Sequence, residues 1–440
     1  MSRSVLFGTA LAVSLAFLAP GVVEAQQANG SQILTVTPDT NAIDSSSYDR
    51  GRNISVRERP RPDYQAEGIH AGGFMIYPKV SVSGAYDDNI FAVHTGRVGD
   101  FIFNVSPEVD FQSTWSREAL TGYARLSQDV YAKNSSENAT QYGAGAAGKL
   151  EFGRADLTGG VDYARDVLPR AVSNNFGFSV HPLQYDYTEL HAQLADDLTR
   201  VRLSVRVDDQ IYDYKNGVTS TGAVVFDQDQ NRNVATLTGK AELAVSPDAA
   251  FFLTAAGNWR DYELAPPVVA FTRNSTGYEV DAGANFDLTH LIRGEVQIGY
   301  LQQSYESPLF KPIEGPSARV QLEWFPTQLT TVTVLGLRTV GDSGVPNSAG
   351  YLTTNGSIQV DHELRRNVIL TANAWFGYDQ YNGIIRNDTR SGFGLSADWL
   401  LTRHVGVTFA YTYANQSSAG ANAGPSFYDN RGSITLILQL

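Results

Sequence analysis

From Gly73 to Leu440 the chain alternates apolar and polar residues with a period of two, and polar connections interrupt the alternation at regular intervals. In Gly122-Tyr-Ala-Arg-Leu-Ser-Gln-Asp-Val130, the residues Gly122, Ala124, Leu126 and Val130 share one face of an extended strand, while Tyr123, Arg125, Ser127 and Asp129 share the other. The stretches Ala155–Tyr163, Val201–Val207 and Ile292–Ile298 repeat the pattern. Successive side chains of a strand point to opposite faces, so one face of each segment suits lipid and the other suits water. A helical period of 3.6 would mix the two sets. One such stretch taken alone reads more readily as a half-exposed strand of a soluble sandwich; the number of stretches decides. About eighteen segments of 11 to 16 residues fit into this region, roughly one for every 20 residues. Strands of that length match a tilted membrane crossing, whereas globular strands average about 5–6 residues. The expectation is an all-β fold: a transmembrane antiparallel up-and-down barrel of about 18 strands, with 16–18 compatible with the pattern.

The connections alternate in length. Trp115–Arg117, Phe152–Arg154, Asp196–Leu198, Ser246–Asp248, Asp287–His290, Pro326–Gln328, Glu363–Arg366 and Leu401–Arg403 are tight. Between them lie longer segments rich in Gly, Asn, Ser and Pro, near 87–100, 133–140, 169–183, 213–230, 263–274, 304–315, 341–350, 380–390 and 416–427. Outer-membrane barrels have this asymmetry of short periplasmic turns and long external loops. It predicts that both ends of the barrel lie in the periplasm.

Composition agrees. The chain has 22 Tyr and 21 Phe but only 2 Met, which suits aromatic girdles at two interfaces better than a core filled with Leu and Met. The mean hydropathy of -0.22 reflects water-facing residues cancelling lipid-facing ones. A net charge of -13 and a pI near 5.0 argue against a nucleic-acid partner, which calls for a clustered basic surface. Cysteine is absent, so no disulfide or thiolate metal site is expected.

Residues 1–25 have the form of a secretory signal: Arg3, the apolar run Val5–Leu18, and the small-residue site Val23-Glu24-Ala25 before Gln26. Gln26 stands where a lipoprotein has Cys. No later run approaches the roughly 18 apolar residues of a spanning helix. Residues 26–72 are rich in Ser, Asp, Arg, Pro and Asn without sustained period, and Pro60 and Pro62 forbid a regular helix or central strand there. This segment is expected to be a periplasmic lead-in, extended or partly disordered, before the barrel domain at 73–440. It is too short and irregular for the plug domain of an energy-coupled importer.

The barrel's end, Ile434-Thr-Leu-Ile-Leu-Gln-Leu440, is apolar at its last residue and at alternate positions before it. It looks like the closing strand recognised by the bacterial barrel-assembly machinery, with Leu440 where such strands usually end in Phe or Trp. A family resemblance covers the mature chain. The run Ser55-Val-Arg-Glu-Arg-Pro-Arg-Pro-Asp-Tyr64, then Gly68-Ile69, Gly73-Phe74, Tyr77-Pro78 and Tyr86-Asp-Asp-Asn-Ile-Phe91, resembles the putative β-barrel porin 2 family. Its motif residues here are Arg59, Pro60, Pro62, Tyr64, Tyr86, Asp87, Asp88 and Asn89. The resemblance implies a Gram-negative outer-membrane barrel, in contact with lipid and lipopolysaccharide and serving polysaccharide export or uptake. It implies no catalytic residue.

If the apolar face is outward, the candidate lumen lining comprises Arg125, Asp129, Asp162, Glu189 and His191 in the first half of the barrel. Arg202, Arg206, Asp208, Lys240 and Glu242 follow, then Arg260, Arg293, Glu295, Arg319 and Glu323. Both signs are interleaved, which fits cross-strand ion pairs bracing the wall as well as a solute path. Inward aromatics such as Tyr123, Tyr131, Tyr187, Phe252 and Trp375 fit packing and sugar stacking alike. Sixteen to eighteen strands leave an aqueous channel, whereas about eight fill with side chains. The function expected is a porin-like channel for passive passage of small solutes or saccharides, linked to exopolysaccharide export. One alternative is a non-conducting component of a surface-polysaccharide machine that docks a periplasmic partner through residues 26–72, with Arg57, Arg59, Arg61 and Asp63 in contact. Another is a barrel hydrolase centred on His191, with Ser204 and Glu189 on the same face.

No catalytic, cofactor or metal constellation is expected. No zincin or EF-hand spacing occurs, and Gly143–Gly148 lacks the strand-turn-helix context of a nucleotide loop. Asp87-Asp-Asn89 sits where the first strand meets its loop and reads as a solvated turn with at most weak affinity for a divalent cation.

Overall fold

The computed structural model describes residues 48–170, 179–289 and 291–440. The signal at 1–25, the beginning of the lead-in and His290 lie outside them. The eighteen barrel strands are β1 (Phe74–Asp87), β2 (Asp100–Ser113), β3 (Ala119–Tyr131), β4 (Ala139–Phe152), β5 (Ala155–Leu168), β6 (Leu183–Leu198), β7 (Val201–Tyr214), β8 (Arg232–Ser246) and β9 (Ala249–Tyr262), followed by β10 (Ser275–Leu288), β11 (Ile292–Tyr305), β12 (Ile313–Thr327), β13 (Thr330–Asp342), β14 (Gly350–Arg365), β15 (Val368–Tyr381), β16 (Asn387–Leu400), β17 (Val405–Ala419) and β18 (Phe427–Gln439). Each pairs antiparallel with its sequence neighbours. β1 closes the cylinder on β18, from Lys79 opposite Gln439 to Asp87 opposite Arg431. Closure leaves no free edge, so every strand finds ladder partners on both sides, as hydrocarbon requires.

The expected turns and loops fall where the pattern placed them, with boundaries displaced by up to four residues. The turn expected at Asp196–Leu198, for example, lies between Leu198 and Val201. Ladder bonds extend through polar strand ends that the periodicity alone treats as loop.

The outer face is apolar and exposed. Val80 and Val82 on β1, Leu126 and Val130 on β3, Val205 and Val207 on β7 and Leu253 on β9 all present themselves to the surroundings. At the turn end this band is bordered by exposed Trp115, Phe152, Phe251, Trp324 and Trp399, and at the loop end by Tyr86, Phe101, Trp259, Tyr278, Tyr300 and Tyr428. Two aromatic girdles around an aliphatic band identify the exterior as lipid-facing. Buried residues inside are largely polar or charged, with small apolar clusters near the loop end such as Leu301, Ile313, Val340 and Leu352.

Candidate functional site

Strand register brings the expected lumen residues into discrete networks. On β6 and β7, Tyr187 donates its hydroxyl to Glu189, Arg206 Nη2 lies 2.6 Å from Asp208 Oδ1, and Glu189 is 4.0 Å from Arg206. Across the neighbouring strands Tyr123 donates to Asp162 (3.0 Å), with Arg125 stacked over the Tyr123 ring. Asp129 accepts from Asn104 at 2.9 Å. Arg202 lies at the turn-end rim, 3.5 Å from Asp197. Farther round, Lys240 bridges to Glu295 at 2.9 Å and stands 3.9 Å over the Phe252 ring, while Glu242 accepts from Asn285 at 2.7 Å. Arg319 sits opposite Gln297, half-buried on the same inner face.

The inward aromatics are committed to packing. Tyr187 lies against Tyr212 at 5.0 Å between centroids, and Trp375 packs on the Ala92, Ala414 and Phe427 cluster. The triad geometry is absent: His191 pairs with Asp208, whereas Ser204 pairs with Ala195, four residues along the strand. A step of four residues is about 13 Å on a strand, beyond hydrogen-bond reach.

The largest departure from expectation concerns the lead-in. Residues 48–67, part of the segment expected to be an extended or partly disordered lead-in, line the inner rim at the turn end. Tyr48 is wholly buried and its hydroxyl accepts from Gln321 (2.6 Å). Asn53 donates to Asp287 (2.8 Å), and the Val56 amide donates to Thr331 (2.9 Å). Arg57, Arg59 and Arg61, the contact candidates of the docking alternative, are engaged by the barrel. Arg57 bridges to Asp361 (2.9 Å) and Asp398 (3.0 Å), and Glu363 receives Arg61 at 2.8 Å and Arg59 at 3.4 Å. Arg366 donates to the Pro60 carbonyl (2.6 Å) and Gln439 to that of Tyr64 (3.4 Å). Ile69–Ala71 then turns back onto Phe74–Ile76 of β1. With Arg52 paired to Asp248 in the β8–β9 turn, the segment forms a belt running from that turn round to β18.

One residue anchors it. Arg293 on β11 is fully buried and meets Glu323 (2.5 Å), Glu58 (2.7 Å) and Asp49 (2.8 Å), and it donates to the Asn53 carbonyl (3.0 Å). Sequence periodicity placed Arg293 and Glu323 inward but gave no sign of the belt partners of Arg293. A signal was available: Asp287, Glu323, Asp361, Glu363 and Asp398 cluster near turn ends, and Arg50, Arg52, Arg57, Arg59 and Arg61 precede the barrel.

At the loop end sequence reasoning missed Asp342, which receives Arg260 (2.8 Å) and Arg232 (3.0 Å) inside the barrel. Of the motif residues at the first loop, Tyr86 packs on Phe101 outside, and Asn89 clamps the loop by donating to the Val93 and Tyr428 carbonyls. Asp88 accepts from both the backbone and side chain of Asn430.

A closed barrel with a girdled apolar exterior and a charged interior is a porin-like transmembrane barrel. The chain belongs to the family described as Putative beta-barrel porin 2, whose model spans residues 61–440. No curated protein matches it. Among solved structures, OpdL of Pseudomonas aeruginosa is similar at 12% identity and a TM-score of 0.42, over 84% of this chain and 100% of that one. OccAB3 of Acinetobacter baumannii is similar at 11% and 0.44, over 83% and 99%. The ferric enterobactin receptor PfeA of Pseudomonas aeruginosa is similar at 8% and 0.41, over 86% and 81%. At such identities the likeness is one of barrel form alone.

Proposed function

We propose that this protein is a passive, non-enzymatic channel in the outer membrane of a Gram-negative bacterium, its turn end facing the periplasm and its loops facing outward. The observation that carries the reading is the closed ring of eighteen strands with a polar, charged interior. A ring of that size is wider than side chains from its wall can fill, so water occupies what the belt and loops leave open. Selectivity then arises from fixed lumen charge and from the narrowest ring of side chains. Small solutes or saccharides are the cargo, and a link to exopolysaccharide export follows the family. Lipid and lipopolysaccharide surround the barrel, and the barrel-assembly machinery inserts it.

A second reading is favoured by the belt, which occupies part of the turn-end mouth: a barrel that conducts little and serves as a structural or docking component of a polysaccharide machine. Single-channel recording of the purified, heat-modifiable protein in a planar bilayer, with and without acidic oligosaccharides, separates the two. Steady openings blocked by sugar support the channel. A correctly folded barrel that never conducts overturns it in favour of the docking component. Under either reading His191→Ala leaves folding and conductance unchanged.

A further inference from the structure

The seam where the first strand meets the last ends in a set of carboxylates that the channel function does not use. Asp87 closes β1, Asp88 follows it, and Asp429 enters from β18, more than 300 residues away in sequence. One oxygen from each lies within 4.8 Å of the others. Asp429 is 3% exposed, and its Oδ1 is buried with no hydrogen-bond partner among the described residues. Asp87 is 5% exposed and, among the described residues, accepts the Asn89 amide alone. Arg431 stands opposite Asp87 in register, one positive charge for two adjacent buried carboxylates, and a buried charge left under-compensated costs several kcal/mol.

The surroundings sharpen the deficit. A cavity of about 60 Å³ beside the cluster is lined by Asp87, Asp129, Glu137 and Asp429, against Arg170 and Arg431 alone. Arg170 is spent on Glu137 at 2.9 Å. Asp100, opposite Asp87 in register, has its carboxylate filled by the amides of Phe101, Lys133 and Asn134. Asp88 pairs with Arg97; burial works against its ionisation, but the donors from Asn430 and Arg97 hold its carboxyl below the usual range. The cavity wall thus carries two negative charges in excess. The unsatisfied atoms are hard carboxylate oxygens, with no nitrogen or sulfur ligand in the cluster, and such donors suit calcium or magnesium.

We propose that Asp87, Asp88 and Asp429 bind a divalent cation, calcium by preference, that pins the first strand to the last at the external end of the barrel seam. Calcium accepts six to eight oxygens in flexible geometry, so water from the adjacent cavity completes its shell. The cation bridges two chain segments that close the cylinder, and it therefore stabilises the closed barrel against separation of β1 from β18. Affinity on the order of 0.1–1 mM is expected, as in extracellular calcium modules.

Lipopolysaccharide itself binds divalent ions, so the test uses full-length mature protein refolded in detergent free of it. Equilibrium dialysis with radioactive calcium is expected to show one ion per folded chain, with affinity lowered at least tenfold by Asp429→Asn and less by Asp88→Asn. Calcium is also expected to raise the urea midpoint of the heat-modifiable band in the wild-type protein but not in Asp429→Asn. In chelator the Asn variant is expected to be at least as stable as wild type, since it removes a repulsion; this shows that it folds. Absence of saturable binding up to 10 mM calcium in folded wild-type protein overturns the proposal and leaves a shared proton as the means of neutralising Asp87 and Asp429. Full binding by folded Asp429→Asn overturns it equally.

Discussion

Arg293 holds a charge that the fold removes entirely from water, and it is tolerated because three carboxylates and a carbonyl surround it. Removing one partner from such a group strands the others, a loss of about 3–5 kcal/mol. Arg293→Met is therefore expected to lower the urea midpoint of the folded band and to expose residues 48–67 to limited proteolysis. At another position the constraint is steric. A Cβ on Gly283 of β10 would lie 2.3 Å from the Phe252 ring and 2.6 Å from the Val296 carbonyl. The ring occupies the space that a side chain would take, and backbone cannot yield. Gly283→Ala is expected to cost about 1–3 kcal/mol, read from the same midpoint, as overpacking does elsewhere. The inward placement of Arg293 was legible in its alternation. The glycine's role was not, because it depends on the ring carried by the neighbouring strand.

Among the elements, the strands and the belt obey different logic. Each strand is specified by its own period of two, so its existence could be read locally. The belt has no period; its shape is dictated by carboxylates on β10, β14 and β16 and by Arg293 on β11, which meet only once the cylinder closes. A charge-assisted hydrogen bond contributes about 1.5–3 kcal/mol, and several in series hold a segment that has no secondary structure of its own. Arg57→Ala combined with Arg61→Ala is expected to leave the barrel heat-modifiable while releasing the belt from the β14 and β16 rim. Larger single-channel conductance than wild type, with faster protease cleavage before residue 67, is the expected outcome. Unchanged conductance with a cleaved belt would mean that the constriction lies elsewhere.

On the scale of the whole molecule, lipid and water are divided by one covalent step along each strand. Leu253 is exposed to lipid near the middle of β9, while Ala256 faces Glu279 across the inner wall. Leu253→Arg is expected to cost about 2–4 kcal/mol of folding free energy near the bilayer midplane, measured by urea titration in vesicles. Ala256→Lys is expected to leave that titration within about 0.5 kcal/mol, as a substitution clear of any packed feature. Its effect belongs to the pore: reversal potentials in a salt gradient shift toward anion preference. Strand number, direction, and the sorting of residues to inside and outside were set by the sequence alone, because each follows from spacing along a few consecutive residues. The belt on the rim, the partner of each lumen charge, and the meeting of Asp87 with Asp429 were decided only in three dimensions. Those contacts join residues tens to hundreds of positions apart, and no local period records which strands a closed ring makes neighbours.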